Sequence, residues 1–176
     1  MKLKDWKPYN SYLDQVKKMI EIDDNVFGRI VYDLYWKRSY TLSFLNKDRD
    51  ITLVIDGDED GDFEDSQYKA FQNFEAIKTS LIPDVEDNLF KYYLANISEN
   101  RDKFGIQSDK MAPLIFNKEG LDTLLDLKQV VVIESFDSND LNIGLVFDAK
   151  WEPELGIGVK LINGKLVEIG YQDIVL

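Results

Sequence analysis

The predicted fold follows from Val26-Phe27-Gly28-Arg29-Ile30-Val31-Tyr32 and, a few residues later, Ser39-Tyr40-Thr41-Leu42-Ser43-Phe44-Leu45. Both stretches are rich in β-branched and aromatic residues that partly alternate with polar ones, which is typical of β-strands. Asp50–Ile55 has the same character and follows after a short gap. Because short turns separate consecutive strands, we predict an N-terminal antiparallel meander.

Helical patterns lie on both sides of this meander. Apolar residues recur every three or four positions over Ser11–Asp24, over Glu64–Leu81 and again after Pro83. A proline at the first helical position costs little, since its missing N–H would be unpaired there. We therefore predict an N-terminal helix and two separate central helices.

The C-terminal half contains two further predicted strands, Gln129–Phe136 and Leu141–Asp148, and then a hairpin. Its turn is Asn163-Gly164, the dipeptide preferred by a type I′ turn. Segregated blocks of strands and helices favour an α+β fold over alternating βα units. We expect a single domain over residues 1–176, with a mainly antiparallel sheet (N-terminal meander plus C-terminal hairpin) packed against two central helices.

Composition excludes several kinds of chemistry. The 176 residues contain no histidine and no cysteine, which rules out Ser-His-Asp triads, thiol nucleophiles and zinc-thiolate sites. The 21 basic and 33 acidic side chains give a net charge of −12, which opposes binding to nucleic acids and to anionic membranes. No apolar stretch resembles a secretory signal or a membrane span. We expect a cytoplasmic, non-catalytic protein whose partner is a basic protein, although solubility alone explains the net charge equally well.

An acidic loop, defined here as residues 56–65, holds seven carboxylates and no basic residue. Its spacing fits a calcium loop, in which Gly61 would make the sharp turn at the sixth position. The predicted ligands are Asp56, Asp58, Asp60, Asp62, Glu64 and Gln67. A neutral glutamine replaces the usual bidentate glutamate, and a strand precedes the loop where an EF-hand has a helix. A solvated turn that caps the next helix is the alternative interpretation.

Two further constellations suggest function. Tyr35, Trp36 and Tyr40 form an aromatic cluster suited to a protein interface, although burial in the sheet explains the same pattern. Asp148-Ala149-Lys150 has the D-x-K shape of metal-dependent nucleases, but such sites need a further carboxylate to hold magnesium. The sequence offers no convincing one, so a metal-dependent hydrolase is the most remote alternative.

Two regions of the chain resemble a known family. They are Val26-Phe27-Gly28 with Gln67-Tyr68-Lys69-Ala70-Phe71, and the run Trp151–Val159, which reads W-x-P-E-x-G-x-G-V. The chain is similar in these regions to an uncharacterised bacterial family of small acidic domains of unknown function. Similar small acidic proteins include suspected immunity proteins for bacterial toxins, so the resemblance implies a toxin-neutralising role.

The sequence therefore predicts a protein-binding domain, with a calcium-binding module as the alternative. The predicted partner-binding residues are Tyr35, Trp36, Tyr40, Trp151 and Glu154. No cofactor is expected unless the acidic loop binds calcium.

Overall fold

The computed structural model describes residues 20–136 and 139–176, which form one sheet and one long helix with short helical turns. The strands are β1 (Ile20–Asp24), β2 (Gly28–Asp33), β3 (Tyr35–Phe44), β4 (Lys47–Ile55), β5 (Leu125–Val132), β6 (Asn142–Ala149), β7 (Glu152–Ile162) and β8 (Lys165–Gly170). The helices are α1 (Asp65–Phe104) and the short α2 (Ser108–Met111), and 3-10 turns lie at Gly105–Gln107, Lys118–Thr123 and Gln172–Ile174. No helix among the described residues is both long enough and apolar enough to cross a membrane.

The eight strands lie in the sheet in the same order as in the chain. The predicted meander is confirmed, because β2, β3 and β4 pair antiparallel. The C-terminal hairpin is confirmed too, since Asn163 (φ 52°) and Gly164 (φ 73°) both adopt the left-handed conformation of a type I′ turn. The exception to antiparallel pairing is β4 with β5, which are parallel because α1 carries the chain across the sheet between them.

The prediction of two central helices is wrong. Helix α1 is continuous for 40 residues, and Pro83 lies inside it rather than at the start of a second helix. The buried side chains on either side of the proline, Ile82 and Val85, belong to the same apolar stripe that faces the sheet. Burial of this stripe outweighs the helix-breaking cost of proline, about 3 kcal/mol.

The predicted arrangement with an N-terminal helix is also contradicted. Residues Ile20–Asp24, the last part of the helix predicted over Ser11–Asp24, form the edge strand β1. Pairing with β2, from Ile20 opposite Tyr32 to Asp24 opposite Gly28, takes precedence over the helical periodicity. Residues 11–19 of that predicted helix lie outside the described residues. Strands of the same sheet therefore lie near both ends of the described part of the chain, from β1 to β8. The fold is α+β.

The two faces of the sheet are covered differently. Helix α1 packs on one face, which we call the helix face, and forms the main hydrophobic core there. The opposite face, which we call the open face, has a smaller apolar cluster of Val54, Val131, Val146 and Val175. Val175 belongs to the C-terminal tail (Tyr171–Leu176), which folds back over β7 at Gly158. A Cβ at Gly158 would lie 2.7 Å from the Tyr171 carbonyl oxygen, so only glycine fits there.

Candidate functional site

The acidic loop connects β4 to α1, and aromatic side chains anchor it to the core. The side chain of Phe63 is buried and makes edge contacts with Phe27 and Trp36, with ring centroids 5.3 and 5.9 Å apart. The indole N–H of Trp36 donates a hydrogen bond of 2.8 Å to the backbone carbonyl of Asp58. The loop is therefore preformed on aromatic side chains, and its carboxylates other than Glu64 are exposed to solvent.

Two of the predicted calcium ligands have structural roles. Gln67 and Glu64 form a capping box at the start of α1, in which the Glu64 N–H donates to Gln67 Oε1 at 2.9 Å. Gln67 Nε2 also donates to the backbone oxygen of Asp56 at 2.8 Å, and Ser66 donates to a Glu64 carboxylate oxygen. Within residues 20–136 and 139–176, no three acidic, histidine or cysteine side chains are arranged to hold a metal. Calcium binding stays a prediction.

The acidic loop carries a charge that the described chain does not neutralise. None of its seven carboxylates forms a salt bridge with any described residue. The negative charge of the loop also acts on Glu134, which follows β5. Desolvation raises the pKa of Glu134, and the carboxylates of Glu64 and Asp56 raise it further. A concentrated negative field of this kind attracts cationic groups.

Three of the predicted partner-binding residues are buried on the helix face. Trp36 and Trp151 are almost inaccessible to solvent, and Trp151 packs edge-on against Tyr93 with ring centroids 4.7 Å apart. Tyr40 is buried as well, and its hydroxyl hydrogen-bonds to Glu75 and accepts a bond of 3.0 Å from Lys78 Nζ. Their predicted partner role is untested, but solvent reaches little of these side chains.

The other two predicted partner-binding residues are exposed but far apart. Tyr35 lies on the open face near the ends of β4 and β5, with Lys37 Nζ 5.1 Å from its ring centroid. Glu154 lies at the opposite end of the strands, beside a cavity of about 540 Å³ near the start of β5. The five residues therefore do not form one surface.

The D-x-K triplet lies beside the same distant cavity. Asp148 lies opposite Asp126 in the sheet, and Lys128 forms salt bridges with both, with nitrogen–oxygen distances of 3.6 Å to Asp148 and 2.5 Å to Asp126. Asp140, the carboxylate nearest upstream of the triplet in the sequence, precedes β6. Asp148 lies near the end of β6, so extended strand geometry separates the two aspartates by roughly 27 Å. These two aspartates cannot hold one ion together.

Sequence reasoning missed an apolar trough on the open face. It is a cavity of about 680 Å³ whose floor includes Val54, Val131, Ile133 and Ile162. The signal was present at the end of β5, where Val130-Val131-Val132 and the following Ile133 are apolar at consecutive positions. A strand apolar on both sides packs on both sides, or presents one apolar face to a partner.

Comparison with known proteins identifies a family but no function. A family described as "Domain of unknown function (DUF6985)" matches residues 26–176. No curated protein and no solved structure matches the chain.

Proposed function

Since the chain belongs to the DUF6985 family of domains of unknown function, we propose a role from its surface: a cytoplasmic, non-catalytic domain that binds a basic protein. The role of a bacterial immunity protein, which neutralises a basic toxin by binding it, fits this proposal. Acidic proteins that bind basic enzymes use their charge to accelerate and orient association.

The acidic loop is the observation that carries this proposal. Its seven carboxylates have no cationic partner among the described residues, so their mutual repulsion is left for solvent or a ligand to relieve. The hydrogen bond between Trp36 and Asp58 and the buried Phe63 fix the loop before any partner arrives. A preformed loop loses little conformational entropy on binding, which favours affinity.

A salt-controlled capture experiment tests the proposal. The full chain is immobilised and exposed to lysate of the source organism at low and at high salt, and bound proteins are identified by mass spectrometry. We expect a basic protein to bind at low salt and to be released at high salt, because screening weakens exposed charge interactions. Binding of predominantly acidic proteins, or no specific binding by the folded chain, would contradict the proposal.

Calcium binding is the second candidate function, because unneutralised carboxylates attract a divalent cation as well as a basic protein. The capping box counts against it, since it engages the side chains of Glu64 and Gln67. A bound ion stabilises the native state by mass action, so calcium should raise the melting temperature if the loop binds it. Identical melting temperatures in millimolar calcium and in chelator would remove this candidate.

A further inference from the structure

The trough on the open face has the shape of a site for an apolar side chain. Its apolar lining includes Val54 and Val131, which are almost fully buried against Val175 of the C-terminal tail, and the partly exposed Ile133 and Ile162. Phe136 lies at its rim with its side chain fully exposed to solvent. Exposed apolar surface that surrounds a concave site marks a place for binding, because covering it releases ordered water.

Carboxylates line the same trough. Asp56, Glu134 and Asp140 are among its lining residues, against a single basic residue, Lys160. Asp56 also begins the acidic loop, so the charged end of the trough continues directly into that loop. Desolvation raises the pKa of Glu134, and the neighbouring carboxylates of Glu64 and Asp56 raise it further. This combination matches a ligand with apolar and cationic groups side by side.

We propose that the trough receives an exposed segment of the basic partner in which an aliphatic or aromatic side chain is next to lysine or arginine. The apolar side chain lies on Ile133 and Ile162, and the cationic one lies beside Glu134. This assignment rests on the proposed function and adds the place of binding and the chemistry of the residues bound.

A partner of this chemistry fits the trough better than a second copy of the chain does. A symmetric dimer through the open face would bring together two troughs, each lined by the carboxylates of Asp56, Glu134 and Asp140 against one lysine, and like charges repel. A partner with lysine or arginine at this place converts the same carboxylates into an attraction.

Methyl NMR spectroscopy of the full chain tests the proposal with a defined probe. The protein is labelled at its isoleucine, leucine and valine methyl groups and titrated with a short peptide that alternates leucine with lysine. Two comparison peptides alternate leucine with glutamate and serine with lysine. We expect the leucine-lysine peptide to shift the methyl signals of Val54, Val131, Ile133 and Ile162, and to bind at least threefold more tightly than either comparison peptide.

Matched variants separate the trough from the general charge of the protein. Phe136→Ser and Glu134→Gln change exposed side chains of the trough, while Phe116→Ser and Glu119→Gln make the same changes at exposed positions outside it. All four should fold, since none of these side chains is buried. We expect the first pair to weaken peptide binding at least threefold and the second pair to leave it unchanged.

The outcomes distinguish this inference from the proposed function. If the peptide binds but shifts only methyl signals outside the trough, binding in the trough is refuted while the proposal of a basic partner is supported. Absence of binding by any lysine peptide would contradict both proposals. If the methyl signals of the trough shift with protein concentration when no peptide is present, the trough binds a second copy of the chain. That result would contradict this inference.

Discussion

Replacement of Gly158 by alanine should release the C-terminal tail from the open face. The added Cβ would lie 2.7 Å from the Tyr171 carbonyl oxygen, 3.1 Å from an Ile174 side-chain carbon and 3.2 Å from a Val175 methyl group. The backbone at Gly158 does not have a positive φ, so the effect of alanine is steric and not conformational. Because the closest atom belongs to the backbone, the tail cannot relieve the contact by rotating a side chain.

The expected loss of stability follows from what the tail contributes. Val175 is buried in the small cluster on the open face, and burial of a valine is worth about 1.5–3 kcal/mol. Gln172 Nε2 donates a hydrogen bond of 2.9 Å to the Phe147 carbonyl, worth about 0.5–1.5 kcal/mol. Release of the tail should therefore lower the free energy of unfolding by about 2–4 kcal/mol. For a chain of this length that corresponds to a fall of roughly 5–15 °C in the melting temperature.

Chemical denaturation and amide hydrogen exchange measure this effect. Gly170→Ala is the matched control, because its Cβ would meet Ile174 at an ordinary 3.5 Å in the same sheet under the same tail. We expect near-neutral stability for the control, and for Gly158→Ala a clear loss with faster exchange at Ile174 and Val175. Equal unfolding free energies for the two variants would refute the account of the tail.

Three further predictions concern stability. Leu34 is exposed and has a φ of 71°, a left-handed backbone conformation that is strained for leucine and that asparagine tolerates better. Leu34→Asn should therefore stabilise the protein by about 0.5–1 kcal/mol in urea denaturation. Destabilisation would contradict backbone strain at this position. Pro83→Ala should raise the urea concentration at the midpoint of unfolding, because exposed Pro83 lies inside continuous α1 and alanine restores a backbone N–H donor. A lower midpoint would instead favour a helix that starts at Pro83. Burial raises the pKa of Tyr93 to about 12, so the protonated phenol stabilises the fold below pH 10 and this contribution is lost as the pH rises through 12. Tyr93→Phe should therefore reduce the loss of stability at alkaline pH. An unchanged dependence of the unfolding free energy on pH would count against the raised pKa.

The sequence predicted the pairing within the meander and the C-terminal hairpin, but it missed strand β1 and the extent of the helix. Adjacent strands joined by short turns leave few alternatives, and Asn163-Gly164 specifies its own turn type. Pro83 misled the prediction because the rule for proline is local, whereas the buried stripe that overrides it is tertiary. The spacing from Leu81 to Val85 is four residues, which continues the stripe in phase across the proline and indicates one helix.

The candidate site was only half visible in the sequence. The acidic loop and the anchoring role of Phe63 follow from residues close together in the chain. The trough brings Val54 and Asp56 next to Ile133 and Ile162, and this depends on the parallel pairing of β4 with β5. Strand alternation also determines that neighbours Tyr35 and Trp36 lie on opposite faces, which a cluster read along the sequence does not reveal.

The affinity of the captured basic protein for three forms of the chain tests the central claim most directly. They are the natural sequence, the loop variant Asp58→Asn/Glu59→Gln/Asp60→Asn and the control variant Asp84→Asn/Asp102→Asn/Glu119→Gln, which removes three exposed carboxylates elsewhere. At about 0.2–1 kcal/mol per exposed charge, the loop variant should bind roughly tenfold more weakly at low salt, and the difference should shrink as salt rises. The control should bind within about twofold of the natural sequence. Equal weakening of both variants would show that net charge alone attracts the partner, and would contradict a binding role for the acidic loop.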